Sequence, residues 1–398
     1  MKIDVMTKDK DIKTVVPALR FPEFRDGEGW KIVSLGEVCD VVGGGTPDTK
    51  EDSYWNGDIL WLTPSEVGNR FISDSCRKIT LSGLKNSSAK LLPAGSIVLT
   101  TRATLGEMSI LVTEASTNQG FQSLVPKLGT NKDYIYYLQP IIKEQCLRFS
   151  KGSTFLEVSS TSVKNFKIPF TSNKEQEKVA DCLGSMDDLI SSVADKIETL
   201  KEYKKGLMQQ LFPAEGKTTP ILRFPEFQNE REWKKTILES LCNSIASGKN
   251  KNNPDGNYNL YGSTGIIGKT DTGDYNGTYI LVARVGTHAG FLTKVDGKFG
   301  VTDNTLVINL KLKGNIDFVY YLLYNKGLNN LVFGSGQPLI TGSLLKNLEI
   351  AIPSSIEQQK IADSLSSVDE LISTEIAKLD QLKAHKKGLM QQLFPKLQ

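Results

Sequence analysis

Two motifs of this chain each occur twice in the same order, and this duplication limits the folds that the sequence can adopt. The decapeptide KKGLMQQLFP occurs at 204–213 and again, unchanged, at 386–395. The motif LRFPEF occurs at 19–24 and again at 222–227. Landmarks that recur in a fixed order are the signature of a repeated structural unit. The sequence therefore predicts two copies of one unit in tandem, each a variable body followed by a nearly invariant tail.

The positions of these landmarks predict where each part begins and ends. A short polar lead-in precedes two bodies, each body is followed by a long helix, and a linker joins the two copies. The predicted boundaries are 1–17 for the lead-in, 18–173 for the first body, 174–213 for the first helix, 214–220 for the linker, 221–354 for the second body and 355–395 for the second helix.

The bodies have the sequence pattern of mixed α/β domains. Short β-branched runs bounded by Gly, Asn and Thr predict strands at 96–101, 278–284 and 304–310. Apolar residues at helical spacing predict one helix over 132–149 and its counterpart over 316–333. The predicted fold class is α+β, with two mixed α/β domains in tandem and a long helix after each.

Both tails carry apolar residues at alternating spacings of four and three, which is the heptad pattern of a coiled coil. Lys204, Glu375 and Lys386 interrupt the two stripes. We expect the two helices to pair with each other as an antiparallel coiled coil with pseudo-twofold symmetry. The alternative is that each helix packs only on its own body.

Composition excludes several classes of protein. The 398 residues carry a formal net charge of only +3, so a general nucleic-acid-coating role is disfavoured. Five scattered cysteines without a C-x-x-C pair favour a reducing cytoplasm, and two distant histidines argue against a metal site. No P-loop or membrane-spanning run is present in the sequence. We therefore expect no catalytic residue and no metal in this chain.

The chain resembles the specificity subunit of type I restriction-modification enzymes. The resemblance rests on the double repeat and the decapeptide, together with GGGTP at 43–47, YGSTGIIG at 261–268, and the Glu-Gln pairs Glu175–Gln176 and Glu357–Gln358 before the long helices. It implies two target recognition domains that read the two halves of an asymmetric, bipartite DNA target. The helices would act as a ruler between the halves.

The resemblance also implies partners. The subunit would bind double-stranded DNA, dock two adenine methyltransferase subunits, and meet the restriction/translocase subunits through them, with no membrane involved. S-adenosylmethionine, ATP and Mg would belong to those partners, so this chain would hold no cofactor. The complex would be cytoplasmic.

Arginine, lysine, amide and hydroxyl side chains read bases and phosphates, and glycine lets the backbone approach them closely. Arg102 and Arg284 are the foremost candidates, because each follows an apolar strand at the same place in its repeat. An ordinary surface salt bridge is the alternative for both. The further candidates for DNA contact are Gly44, Gly45, Thr46, Thr101, Asn118, Gln119, Lys151, Ser153, Thr154, Lys249, Asn304, Ser335 and Gln337.

A surface that occurs twice in one chain is suited to a partner that binds in two copies. The decapeptides therefore predict docking residues for the two methyltransferase subunits, with the alternative that each decapeptide packs on the body at its end. The candidates are Lys205, Leu207, Met208, Gln209 and Phe212 in the first copy and Lys387, Leu389, Met390, Gln391 and Phe394 in the second.

Two other classes of protein remain as alternatives. One is a stand-alone nuclease or methyltransferase, which the missing cofactor and nucleotide motifs disfavour. The other is a non-catalytic scaffold whose coiled coil joins two ligand-binding domains. Such a scaffold would give no sequence-dependent protection of DNA.

Overall fold

The chain folds into two compact units, and the first of them is completed by residues from a distant part of the sequence. The computed structural model describes residues 14–150, 156–311, 316–331 and 338–396. The first unit combines residues 1–192 with residues 379–398, and the second comprises residues 193–378. Each unit therefore contains one body, half of the helix that follows that body, and half of the other long helix.

The first body contains three sheets with short helices between their strands. Its elements are β1 (Thr14–Val15), β2 (Trp30–Ser34), α1 (Leu35–Val38), β3 (Cys39–Gly43), β4 (Trp55–Leu62), β5 (Phe71–Ile72), β6 (Arg77–Ile79), α2 (Leu81–Lys85), β7 (Ile97–Leu99), β8 (Met108–Leu111), β9 (Ala115–Thr117), β10 (Gln122–Pro126), α3 (Lys132–Tyr137), α4 (Gln139–Phe149), α5 (Ser160–Lys164), β11 (Lys167–Phe170) and the long helix α6 (Asn173–Leu211).

The largest sheet of the first body has the strand order β3-β10-β7-β8-β5. Its central strand β7 is completely buried, as its Ile-Val-Leu sequence predicts. The body also contains two smaller sheets, with the strand orders β1-β2-β11 and β6-β4-β9. The main core of this unit surrounds Trp30, Tyr134 and Phe166, which are each at most 1% exposed.

From its described residues the second body also forms three sheets, of two, four and four strands, where the first body has sheets of three, five and three strands. Its elements are β12 (Lys234–Ile237), β13 (Cys242–Ser247), β14 (Tyr258–Gly262), β15 (Gly265–Thr270), β16 (Tyr275–Asn276), β17 (Tyr279–Ala283), β18 (Leu292–Val295), β19 (Lys298–Val301), β20 (Thr305–Leu310), α7 (Ile316–Lys326), α8 (Gly342–Lys346), β21 (Glu349–Ile352) and the long helix α9 (Ser355–Leu393).

The two bodies differ at one edge of their main sheet. In the second body the sheet runs β13-β20-β17-β18 and ends at β18. In the first body the corresponding strand β8 carries an additional parallel neighbour, β5, which pairs Phe71 with Ile110. The segment that contains β5 lies between β4 and β7, where the first repeat is longer than the second. The extra residues of the first repeat thus supply an additional strand.

One helix prediction was wrong in detail. Residues 132–149 form two helices, α3 and α4, which meet at Leu138. Pro140 lies in the first turn of α4, where its missing N–H costs nothing, but in one continuous helix the same proline would leave the Tyr136 carbonyl without its donor and clash with it. The apolar spacing continues through the break, so periodicity alone did not locate it.

Within each unit the two long helices run antiparallel. In the first unit Asp187 of α6 forms an ion pair with Lys386 of α9. In the second unit Lys204 of α6 donates to both carboxylate oxygens of Asp369, at 2.6 and 2.7 Å, and Lys196 pairs with Glu375. The three charged residues that interrupt the apolar stripes therefore each have an oppositely charged partner on the facing helix.

The start of each long helix is held to its body by a buried ion pair. The Arg20 guanidinium donates to both oxygens of Glu175, at 2.7 and 2.9 Å, and Arg223 donates to both oxygens of Glu357, at 2.8 and 2.7 Å. These four residues belong to the repeated LRFPEF and Glu-Gln motifs. Bidentate pairs of this kind fix orientation as well as distance, so they set the direction in which each helix leaves its body.

Candidate nucleic-acid interface

In the first body the glycine loop after β3 packs directly against the loop after β9. The Gly45 N–H donates to the Thr117 carbonyl at 2.8 Å, and Thr46 Oγ1 lies 2.6 Å from Gln119 Oε1. A Cβ on Gly44 would lie 1.9 Å from the Asn118 carbonyl oxygen. Only glycine allows this approach, so the two loops form one surface.

Two tryptophans donate hydrogen bonds to backbone carbonyls of this glycine loop. Trp61 Nε1 donates to the Gly45 carbonyl at 2.9 Å, and Trp55 Nε1 donates to the Asp48 carbonyl at 3.0 Å. The Arg77 guanidinium lies 3.6 Å from the centre of the Trp55 ring. Indole donors that satisfy loop carbonyls make the loop rigid, and a rigid loop costs less entropy on binding.

The loop after β7 joins the same surface and carries Arg102. The Thr101 N–H donates to the Gly120 carbonyl at 2.7 Å, and Ala103 adopts a left-handed φ of 59°. Arg102 forms a salt bridge of 2.7 Å with Glu157, and both side chains are nearly half exposed. An exposed pair of this kind contributes about 0–1 kcal/mol. The Arg102 guanidinium can therefore leave Glu157 and bind another anion with little loss of free energy.

The second body builds the same surface from different side chains. A Cβ on Gly248 would lie 2.0 Å from the Val301 carbonyl oxygen. Asn250 is 8% exposed; its backbone N–H donates to the Val301 carbonyl, and its Oδ1 accepts from the Val301 N–H at 2.8 Å. Its Nδ2 donates to Thr272 Oγ1 and to Asp274 Oδ2, both at 2.9 Å. Asn250 therefore anchors the basic loop 248–253, with Lys249 exposed on it.

The Ile340 N–H donates to the Arg284 carbonyl as the Val158 N–H donates to the Thr101 carbonyl. On this second surface Arg284 therefore lies at the position of Thr101, one residue before that of Arg102, so the predicted match of the two arginines is off by one residue. The Arg284 N–H donates to the Asn304 carbonyl at 2.9 Å, and one guanidinium nitrogen donates to the Asp303 carbonyl at 3.3 Å. Within the described part of the chain, Arg284 Nε has no acceptor. A guanidinium whose only side-chain hydrogen bond is long retains donor capacity for a ligand.

In each body the structure brings the described DNA-contact candidates to one loop cluster. Some of their side chains pack inside the cluster and others lie at its surface. Thr101 is fully buried with its hydroxyl on the Gly120 carbonyl, and Asn118 Oδ1 accepts from the Gly120 N–H, so these two side chains shape the loops from within. Gln119, Asn304 and Lys249 lie at the surface. Outside the described residues lie Lys151, Ser153, Thr154, Ser335 and Gln337.

The decapeptides close the cores of the units. Phe212 is 1% exposed and lies 5.6 Å from Phe318 and 6.1 Å from Trp233, measured between ring centres. Phe394 is 7% exposed and lies 5.6 Å from Tyr134 and 6.3 Å from Trp30.

For the apolar members of the decapeptides the structure favours packing on the body over docking a partner. Met208 is 3% exposed, and Leu207, Leu389 and Met390 pack against the same cores while partly buried. Among the predicted docking residues, those left exposed are Lys205, Gln209, Lys387 and Gln391.

A tyrosine joins the helix-pairing charges in each unit. The Tyr137 hydroxyl donates to Asp187 at 2.7 Å, and the Tyr321 hydroxyl donates to Asp369 at 2.6 Å. Burial, followed by the hydrogen bond to the carboxylate, raises the pKa of both tyrosines above the usual range, so both remain protonated. Each lysine also lies over the tyrosine ring of its unit, with Lys386 5.2 Å from Tyr137 and Lys204 5.0 Å from Tyr321.

Sequence reasoning missed the Trp55–Trp61–Arg77 cluster and the anchoring role of Asn250. The run YWNGDILWL, which carries two tryptophans within nine residues shortly after the glycine motif, was an available signal for the cluster. Asn250 had no such signal, because its three partner residues Thr272, Asp274 and Val301 lie between 22 and 51 residues away along the chain.

The described residues contain neither a membrane-spanning helix nor a metal site. None of the helices within the described ranges is long and apolar enough to cross a membrane. Over the same ranges, no group of three histidine, cysteine, aspartate or glutamate side chains is placed to hold a metal ion. All five cysteines have free thiols, and burial raises the pKa of the Cys39 and Cys146 thiols to about 12.

The chain contains two mixed α/β bodies, and a long helix follows each of them. Each body has a cluster of packed loops at its strand ends, and this arrangement is that of a duplicated recognition protein. The family model described as the type I restriction modification DNA specificity domain matches residues 27–202 and 230–384. The chain belongs to this family and contains its domain twice.

Curated relatives and solved structures agree with this assignment. A type I restriction enzyme specificity subunit (MjaIX) from Methanocaldococcus jannaschii is 35% identical over half of this chain, although the chain spans only 46% of that relative. The EcoprrI specificity subunit from Escherichia coli is 25% identical over 89% of this chain and 92% of its own length. The crystal structure of a type I restriction-modification S subunit from M. genitalium has the same fold, with a TM-score of 0.63 and 15% identity over 96% of this chain.

Proposed function

We propose that this chain is the sequence-specific DNA-binding subunit of a type I restriction-modification complex and that it does not itself catalyse a reaction. Each body reads one half of an asymmetric, bipartite target in double-stranded DNA. The observation that carries the proposal is the repeated loop cluster, in which the same backbone framework presents different side chains. The Asn118 N–H donates to the Leu62 carbonyl in one body, and the Thr302 N–H donates to the Tyr261 carbonyl in the other.

Two adenine methyltransferase subunits dock on the chain in this proposal, and restriction/translocase subunits join through them. S-adenosylmethionine, ATP and Mg then bind to those partners. The exposed residues Lys205, Gln209, Lys387 and Gln391 support the proposal, because the two decapeptides present the same polar face. The free thiols support a reducing, cytoplasmic location.

The test of the function is a map of methylated adenine. The chain is co-expressed with the methyltransferase subunit of the same host, and the genome is then searched for modified sites. We expect a split motif of two short specific blocks around a fixed unspecified gap. Methylation at a single continuous motif would contradict reading by both bodies. No methylation from an assembled complex would favour the non-catalytic scaffold.

Substitution of Arg102 tests the interface itself. Arg102→Ala in the assembled complex is expected to weaken binding of the mapped target by about 1–3 kcal/mol, roughly 5- to 150-fold, if the guanidinium contacts a base. If it contacts a phosphate, the salt dependence of binding decreases by about one ion instead. Fluorescence anisotropy at several salt concentrations distinguishes the two cases.

Arg25→Ala is the matched control for this measurement. Arg25 is also an exposed arginine of the first body, but its Nε donates to the carbonyl of Arg20, the residue that pairs with the start of the long helix. We expect the affinity of this variant to remain that of the wild type. Equal affinity of the Arg102→Ala variant would remove Arg102 from the interface.

A further inference from the structure

The second unit contains an open cleft of about 870 Å³ beside the edge of its main sheet. Strand β18 and helix α7 form one side, and the first half of α9 forms the other. The side chains that line it include Lys294, Asp317, Tyr321, Asp369, Glu370 and Ser373. Of the three lining carboxylates, Asp317 pairs with Lys294 and Asp369 pairs with Lys204, whereas Glu370 has no cation among the described contacts. The lining is therefore weakly acidic, which disfavours nucleic acid as its occupant.

The first unit shows what fills the equivalent place there. The segment Arg70–Ile72, which includes β5, runs along β8, and the Ile110 and Val112 N–H groups donate to the Arg70 and Ile72 carbonyls at 2.7 and 2.9 Å. This segment lies in the part of the first repeat that is longer than the second. In the second unit β18 is the last strand of its sheet, so an equivalent segment is absent from the described residues there.

The same strand pairing predicts free hydrogen-bonding groups along β18. Ile110 pairs with Ile97 in the first sheet, and Lys294 pairs with Ile280 in the second. The backbone N–H of Lys294 therefore corresponds to that of Ile110, which donates to Arg70. An edge strand with such unpaired groups is a template for addition of another strand.

The Arg70 side chain occupies a charged position that is vacant in the second unit. Arg70 donates to Asp133 Oδ1 at 2.7 Å, and Lys132 donates to Asp133 Oδ2 at 2.8 Å. The residue corresponding to Asp133 is Asp317, at the same place in the repeated helix. Asp317 Oδ1 pairs with Lys294, and among the described contacts its second oxygen has no cation.

The aromatic ring beside this position shows the same difference. Tyr137 has two cations near its ring, Lys386 at 5.2 Å and the Arg70 guanidinium at 5.2 Å. Among the described residues Tyr321 has one cation near its ring, Lys204 at 5.0 Å. Strand edge, carboxylate and ring are therefore all arranged for an arginine-bearing segment that the described residues of the second unit do not provide.

We propose that this cleft binds an extended, arginine-bearing peptide segment of a partner protein, which adds as a strand to β18 and places its guanidinium between Asp317 and Tyr321. Ser366 lies where the first unit has Gly184, and a Cβ at Gly184 would lie 3.3 Å from Arg70 Nη1. A guanidinium in this cleft therefore lies a few tenths of an ångström further from α9 than Arg70 lies from α6 in the first unit. The partner is recognised by backbone pairing and by one guanidinium. The site is distinct from the loop cluster that we assign to DNA.

The probe for this site is the peptide GNRFISDS, which copies residues 68–75 of the first unit. It is labelled with a fluorophore and titrated into the full chain without DNA. We expect saturable binding of one peptide per chain, with a Kd in the range of about 0.1–1 mM, as for a short weak contact. The same peptide with alanine in place of arginine is expected to bind at least tenfold more weakly. Equal binding of the two peptides, or no saturation up to about 5 mM, would overturn the proposal.

Two protein variants then locate the peptide. Ser373→Trp places an indole in the cleft from an exposed position of α9 and is expected to abolish saturable binding. Ser191→Trp is the matched control, because Ser191 is the exposed counterpart of Ser373 on α6. Binding that survives Ser373→Trp, or that is lost equally in the control, would place the peptide elsewhere and reject the cleft. The measurement contains no DNA, so its result is independent of the proposed function.

Discussion

Replacing Arg20 with methionine is expected to lower the free energy of unfolding of the first unit by about 3–5 kcal/mol. The Arg20 and Glu175 side chains are 7% and 2% exposed, so the substitution leaves a buried carboxylate without its counter-charge. Methionine retains most of the length of the arginine stem and limits the loss of packing. Urea denaturation of the full chain measures the change in the transition of the first unit.

The chain offers a control and a duplicate for this experiment. Arg25→Met changes an exposed arginine five residues away and is expected to alter stability by no more than about 0.5 kcal/mol. Arg223→Met is expected to act on the second unit as Arg20→Met acts on the first, since Arg223 and Glu357 are 8% and 1% exposed. A loss below about 1 kcal/mol in Arg20→Met would show that the pair contributes little.

The stabilisation by Arg20 should also depend on pH. Burial acts to raise the pKa of Glu175, but the hydrogen bonds from Arg20 and Thr171 outweigh it, and the pKa lies below its ordinary value of 4.5. A carboxyl whose pKa is lower in the folded state stabilises the fold above the pKa of the unfolded chain. In Arg20→Met the largest remaining influence on Glu175 is burial, which acts to raise the pKa of this carboxyl. The stability difference between the wild type and Arg20→Met should therefore be full only above the pKa of Glu175 in the folded variant, and shrink as the pH falls through that pKa and then through 4.5. A difference that grew towards low pH would contradict this account.

Replacing the phenylalanine of either decapeptide is expected to lower the free energy of unfolding by a similar amount. Phe212→Ala and Phe394→Ala each leave a cavity among tryptophan, tyrosine or phenylalanine rings, and a truncation of this kind costs about 3–5 kcal/mol. Differential scanning calorimetry should show one transition lowered in each variant, that of the second unit for Phe212→Ala and that of the first for Phe394→Ala.

Two glutamines of the same decapeptides separate packing from partner docking. Gln209 and Gln391 are exposed, so their replacement with alanine should change stability by no more than about 0.5 kcal/mol. Under the proposed function the double variant should still fold but assemble less well with the methyltransferase subunit, as measured by size-exclusion chromatography. If Phe212→Ala left stability unchanged while weakening assembly, the packing role of the decapeptide would be wrong.

The sequence predicted those features of the fold that have a local or periodic signature. The repeated landmarks predicted two tandem domains, and the heptad spacing predicted the long helices. The β-branched runs at 96–101, 278–284 and 304–310 overlap β7, β17 and β20. These features depend on residues close together in the chain, so periodicity and composition are sufficient to find them.

Long-range contacts were not predictable in the same way. Glu175 was noted as part of a repeated motif, but its partner Arg20 lies 155 residues earlier, and no spacing rule connects them. The additional strand β5 has only two residues, too few for a periodic signal. The candidate site shows the same division. The glycine loop and Arg102 were proposed from their sequence and stay predictions, whereas the tryptophans that hold the loop become significant only when the fold brings them to it.

The exchange of helix halves between the units has a consequence for the order in which the chain can mature. The second unit ends at residue 378, whereas the first needs residues 379–398, including Phe394, to complete its core. Because synthesis proceeds from the N-terminus at about 5–20 residues per second, the body that emerges first from the ribosome is the last to be finished. A nonsense mutation shortly after Lys378 would thus leave the later-made body with all of its own residues and the earlier one without its closing segment.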